Sequence, residues 1–267
     1  MKIQDLFSVR DLVVAVTGGA GGIGTAIAEA MVDNDARVVL MDVDRAKLDE
    51  AVAGLGGSGS VTGEVVDVTS PESLRKAYDA TLARHGKIDV VFANAGITRP
   101  SGFGTFDHQR TEVGAIENLN HADWNTILAI NLTGVMATLQ GAVPAMKRQG
   151  GGSLIVTTSL AGMQVSPPAH TAYAVTKAGA AHLVRQTALE LAKFNIRVNA
   201  IAPGAFVTGI TRPGAAEIYA KRIPMGRVPA TKELQGLALF LASSASAFIT
   251  GAEIPIDGGS RFGTAED

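Results

Sequence analysis

Short, continuously apolar runs alternate along this chain with longer stretches in which apolar residues recur every three or four positions. The runs fall at 12–16, 37–41, 61–66, 90–93, 154–157, 198–201 and 254–256, and the helical spacing at 24–32, 45–55, 71–85, 121–148, 172–194 and 232–241. Strand followed by helix, repeated, predicts βαβ units. Several of the strands are apolar at every position instead of every second one, so both faces of the sheet must be covered. The expected architecture is α/β, a doubly wound parallel sheet of about seven strands with helices on both faces. No linker divides residues 1–267, and the whole chain is expected to form one domain.

Local signals agree with this pattern. Ser70-Pro71 places a cap before proline at a first helical position, and Asn120, three residues before Asp123, can cap the helix that contains Trp124. Two stretches resist assignment, 98–119 and 208–227. Both follow strand ends, where an open α/β sheet binds its ligands, so both are expected to be loops over a substrate site.

Composition narrows the function. Apolar residues make up 46% of the 267, but the uncharged apolar stretches are interrupted by Gly, Thr or Asn short of the roughly 18–20 residues of a membrane span. No membrane partner is expected. Lys plus Arg number 23 against 25 for Asp plus Glu, with no basic stripe, which argues against nucleic acid. The absence of cysteine excludes disulfides and thiolate metal sites and suits a reducing compartment, so a cytoplasmic location is expected. Histidines 85, 108, 121, 170 and 182 have no ligand-like spacing, and no metal is expected.

The first strand runs directly into Thr17-Gly-Gly-Ala-Gly-Gly-Ile-Gly24, which opens the first helix. Such a loop can be a plain turn. Between a strand and a helix it also allows a pyrophosphate to approach free N–H groups at the positive end of the helix dipole, as in a Rossmann-type fold. Asp42 closes the next strand, 18 residues beyond Gly24. A carboxylate there accepts hydrogen bonds from an adenosine ribose and repels a 2′-phosphate, so NAD is favoured over NADP, with Arg45 close by as the opposing feature.

Tyr173 and Lys177 stand four apart in a helical stretch, which puts both on one face and lets an ammonium favour an ionised phenol. The plain alternative is a solvated pair. Ser159, at the exit of the strand 154–157, raises the catalytic reading.

Taken in order, these residues resemble the short-chain dehydrogenase/reductase family over about Val13 to Gly259. The family's glycine loop is matched by Thr17, Gly18, Gly22 and Gly24, with Gly21 and Ile23 in the same loop. The resemblance implies an adenine contact at Asp67 and Val68, and a strand-end turn beside the cofactor at Asn94, Ala95 and Gly96. It implies nicotinamide contacts at Pro203, Gly204, Phe206 and Thr208, and a catalytic set of Asn131, Ser159, Tyr173 and Lys177. In the oxidative direction Tyr173 would take the alcohol proton while hydride leaves for NAD. Ser159 would hold the substrate oxygen, Lys177 would lower the phenol pKa and bind the ribose, and Asn131 would hold a relay water. Met163, Val165, Pro168, His170 and Phe206 are pocket candidates, His170 equally a surface cap. Family members are commonly tetramers, so a homotetramer is expected. The leading reading is NAD-dependent exchange of a small secondary alcohol and its ketone. The alternatives are an NADPH-dependent 3-oxoacyl reductase and a noncatalytic nucleotide-sensing protein.

Overall fold

The computed structural model describes residues 2–56, 60–98, 101–105, 109–207 and 215–264. Seven parallel strands form one sheet in the order β3-β2-β1-β4-β5-β6-β7. They are β1 (Val13–Thr17), β2 (Arg37–Asp42), β3 (Val61–Val65), β4 (Val90–Ala93), β5 (Gly152–Thr157), β6 (Ile196–Pro203) and β7 (Glu253–Ile256). The helices that matter here are α1 (Gly22–Val32), α2 (Arg45–Gly54), α3 (Pro71–His85), α4 (His121–Gln149), α5 (Thr171–Leu191) and α6 (Gln235–Ala242).

The uninterrupted apolar strands have the two-sided burial that their composition requires. Val14, Val16, Val90, Phe92 and Ile155 face one layer with Ile27, Met31, Leu48 and Leu241 of α1, α2 and α6. The intervening Ala15, Val91, Ala93, Leu154 and Val156 face the other, against Leu74, Tyr78, Val135, Met146 and Val184 of α3, α4 and α5. Phe92 is fully buried at the centre, and its truncation to Ala would cost about 3–5 kcal/mol.

Helix ends follow the sequence signals. Ser70 Oγ accepts from the Ser73 N–H at 3.2 Å, and Asn120 Oδ1 accepts from Ala122 and Asp123. One expectation is corrected. The apolar stretches broken by Gly, Thr and Asn are continuous as helix in α4, which is long and apolar enough to cross a membrane. A helix tolerates these residues in its interior, and here Val135, Leu139, Ala142 and Met146 of α4 pack in the core beside the sheet. Within α4, Ala129–Thr133 widens to a π-helical turn.

The layer change decides where a ligand can sit. Chain leaving β1 turns to the α1 side and chain leaving β4 leads to α4 on the opposite side, so a crevice opens at the carboxyl ends of these neighbouring strands.

Candidate active site

The glycine loop rises from β1 into this crevice. Gly18 has φ +63°, and a Cβ there would lie 2.8 Å from the Ala95 Cα. At Gly24 a Cβ would collide with the Gly18 carbonyl, so the loop folds tightly only without side chains at both positions. Gly19, which the sequence did not single out, is equally constrained, because its Cβ would meet Leu40 and the Val16 carbonyl.

Helix α1 begins after Gly21 without a side-chain cap, whereas Asp44, Ser70, Asn120 and His170 each cap α2 to α5. The free N–H groups of its first turn, with Gly22 and Ile23 at the opening, suit the pyrophosphate of a dinucleotide. The residues present therefore fit a nicotinamide dinucleotide. Asp42 is aimed back at this loop. Its Oδ2 accepts from the Ala20 N–H at 3.1 Å and its Oδ1 from the Asp44 N–H at 3.2 Å, which fixes the carboxylate beside the loop. Arg45 is paired with Asp49 at 3.5 Å.

A polar network ties the strand ends together. Thr17 Oγ1 donates to the Phe92 carbonyl and accepts from the N–H groups of Asn94 and Ala95. Asn94 Nδ2 donates to the Gly18 carbonyl, and its Oδ1 accepts from Thr157 Oγ1 at 3.0 Å. Thr157, also missed by sequence reading, then accepts Lys177 Nζ at its carbonyl, 2.6 Å away. No side-chain pattern could have marked that contact, since the acceptor is main chain.

Asn131 lies in the π-helical turn with no exposure, and its amide pairs with the Ile97 backbone in both directions at 2.8 Å. Gly96 sits over it, such that a Cβ there would be 3.3 Å from Asn131 Oδ1 and 3.5 Å from Lys177 Nζ. Ser159 follows β5, and its hydroxyl accepts from the Ala161 N–H, capping the short helix Leu160–Met163. That helix lies directly on α5. Gly162 permits this, for a Cβ at that position would stand 2.7 Å from the Ala178 nitrogen and the Lys177 carbonyl carbon. A glycine three residues after the serine was the available signal.

Ser159 and Tyr173 are thereby brought together, with Lys177 Nζ 5.7 Å from the tyrosine ring centre. The phenol of Tyr173 is set between burial and a neighbouring hydroxyl. Burial holds the Tyr173 phenol above its ordinary value of 10, and the hydrogen bond with Ser159 is what pulls it down. Lys177 is itself buried and pushed down to about 8, its ammonium committed to Thr157.

The other expected residues lie along the same sheet edge. Asp67 holds its own turn, Oδ1 accepting from the Thr69 N–H and Oγ1, while Val68 packs against Gly134 of α4. After β6, Gly204 donates to the Ile256 carbonyl, and Phe206 is buried in the core beside α1 and α6. Phe206 is thus core first and pocket wall second. His170 is a cap, as one reading held, but a buried one. Its Nδ1 accepts from the Ala172 N–H, and burial lowers its pKa against the pull of Asp123. Thr208, with Arg99, Asp107 and His108, lies outside the described residues.

Comparison with known proteins places the whole chain in a family. Residues 18–261 match a family model described as "Enoyl-(Acyl carrier protein) reductase". The 3-oxoacyl-[acyl-carrier-protein] reductase FabG of Thermotoga maritima is 35% identical over 251 residues, covering 92% of this chain and 96% of that protein. A trans-4-hydroxycyclohexanecarboxylate dehydrogenase of Sinomonas cyclohexanicum is 36% identical over 264 residues, with 96% and 95% covered. A crystal structure of a short-chain type dehydrogenase/reductase from Mycobacterium marinum superposes with a TM-score of 0.88 at 32% identity, covering 97% of this chain and 99% of the other. The chain belongs to the short-chain dehydrogenase/reductase family. It is an oxidoreductase of the alcohol/ketone type that works with a nicotinamide cofactor. In this short-chain dehydrogenase/reductase the Rossmann-type sheet places Thr17, Asp42, Asn94, Ser159 and Pro203 at or just after the carboxyl ends of its strands.

Proposed function

We propose that the protein exchanges a hydride between NAD(H) and a small secondary alcohol or its ketone, with Tyr173 as general acid and base. The observation behind this reading is the seating of the Ser159 helix, at Gly162, directly on the helix that carries Tyr173 and a buried Lys177 anchored on the Thr157 carbonyl. A bound nicotinamide supplies the hydride acceptor or donor. Ser159 donates to the substrate oxygen and fixes it, and Tyr173 takes the hydroxyl proton in oxidation or returns it in reduction. Lys177 favours the phenolate only while it is itself protonated, and it holds the cofactor ribose. The side chain of Asn131 is engaged with Ile97, so holding a relay water falls to its main-chain carbonyl in the widened helical turn.

The second reading is reduction of carrier-bound 3-oxoacyl groups, favoured by the similarity to the Thermotoga maritima reductase. Assays with a panel of cyclic and polyhydroxylated alcohols beside a 3-oxoacyl thioester separate the two. Turnover of the thioester alone overturns the first.

Asp42 carries the preference for NAD in this proposal, since its fixed carboxylate would face an adenosine ribose. Asp42→Ala should weaken NAD binding about tenfold, about 1.4 kcal/mol, and improve use of NADP. Steady-state kinetics with both cofactors checks this, and a wild type that prefers NADP would refute it. A cytoplasmic homotetramer belongs to the same reading, supported by the all-cysteine-free composition and by the family. Sedimentation at micromolar concentration should give four subunits, and a monomer would count against it.

A further inference from the structure

Within the unusual segment after β4, the described residues include two short antiparallel arms, together called the hairpin below. Residues 101–105 and 109–111 pair through the bridge between Gly104 and Arg110, with Thr111 N–H donating to the Phe103 carbonyl and Thr105 N–H to Gln109. One arm continues the pairing onto the loop that joins the Ser159 helix to α5. Ser101 pairs antiparallel with Ala169, Gly102 N–H donates to the Pro168 carbonyl at 3.1 Å, and Gly104 N–H to the Pro167 carbonyl at 3.0 Å.

The chemistry of both partners suits permanent contact. Pro167 and Pro168 have fixed φ and no N–H, so they stiffen the loop and offer only carbonyls. Gly102 is buried against them, and a Cβ on it would collide with the carbonyls of Pro167 and Ala169. Gly114 closes behind, because a Cβ there would collide with the Gly102 backbone, and Thr111 Oγ1 donates to the Gly102 carbonyl at 2.8 Å. Directly after Ala169 stands His170, the buried cap of the helix bearing Tyr173 and Lys177.

We propose that this hairpin is a fixed positioning element of the active site. It stays docked on Pro167–Ala169 through turnover and thereby sets the start of α5 at His170. The inference rests on the reading that Ser159 and Tyr173 act on the substrate.

Absence of native cysteine makes a direct test clean. Ser101 and Ala169 are directly opposed across an antiparallel bridge, a position close enough for a disulfide. The double variant S101C/A169C should cross-link on oxidation and keep the kcat/KM of its reduced form. Failure to cross-link, or inactivation on oxidation that reductant reverses, overturns the proposal, the second because it makes the hairpin a gate. Independently, Thr111→Val should raise KM for the alcohol about fivefold, the effect of one hydrogen bond. Thr111→Ser should restore it, and the NADH dissociation constant should stay within about twofold. Gly102→Val should lower kcat/KM about tenfold or more. Folded Thr111→Val and Gly102→Val enzymes with unchanged kcat/KM overturn the inference while leaving the proposed chemistry intact. A Tyr173→Phe enzyme with full turnover does the reverse.

Discussion

Tyr173→Phe should retain less than about 1% of wild-type turnover in both directions, the loss expected when a positioned general acid and base is removed. NADH should still bind within about fivefold, because the change deletes one hydroxyl and leaves the glycine loop, Asp42 and Lys177 in place. Fluorescence titration of NADH beside steady-state assays checks both halves. A variant with a tenth of wild-type activity would remove Tyr173 from its assigned role. The pH dependence of the wild type follows from the environment of the phenol. Burial raises its pKa and Ser159 opposes the rise, so the phenol is harder to ionise than a free tyrosine. Ketone reduction should therefore be flat from about pH 6 to about pH 8, while alcohol oxidation climbs with pH. Reduction that falls between about pH 6 and about pH 7 would contradict the assignment.

Lys177→Met should abolish most turnover, weaken NADH binding about tenfold, and yet leave the protein as stable or more stable near neutral pH. The buried ammonium titrates near 8 in the folded protein against 10.5 when exposed, so keeping it charged at pH 7 costs about 3 kcal/mol. Loss of the bond to the Thr157 carbonyl takes back about 1–2 kcal/mol, which leaves a net gain of about 1–2 kcal/mol, or a few degrees in Tm. The sign of the pH effect follows from a lowered folded pKa on a cationic group. Between about 8 and 10.5 the unfolded chain holds the proton that the folded chain has released. The wild-type penalty is full below about pH 8 and fades as pH rises toward 10.5. The stability advantage of Lys177→Met should shrink over that interval. Thermal unfolding at pH 7 and pH 10 measures it, and a variant several degrees less stable at pH 7 would show that the ammonium is not penalised by burial. Wild-type NADH affinity should likewise decline as pH passes about 8, and that decline should be flat in Lys177→Met.

The chain itself determined the strand and helix order, the two-sided burial of the sheet and where along it the candidate site residues fall. Period and composition are local properties, and a parallel sheet obliges glycine, acid and amide residues at its carboxyl edge to converge wherever the strands end. Thr17, Asp42, Asn94, Ser159 and Pro203 each terminate or follow a strand and are brought together for that reason. The caps at Ser70 and Asn120 were legible on the same ground, because donor and acceptor lie within one turn.

Tertiary structure decided what depends on distance and burial between remote segments. The direction of the Tyr173 and Lys177 titrations follows from how much protein surrounds them, which a spacing of four residues does not contain. The need for glycine at 162 arises only because the Ser159 helix lies on α5, and the part of Thr157 only because its carbonyl meets Lys177 Nζ. Segment 98–119 was recognisable as unusual, but its pairing with Pro167–Ala169 is made by backbone groups of two loops more than fifty residues apart in sequence. Main-chain hydrogen bonds of this kind are available to almost any residue, so no side-chain pattern announces them, and only the folded chain selects which are made.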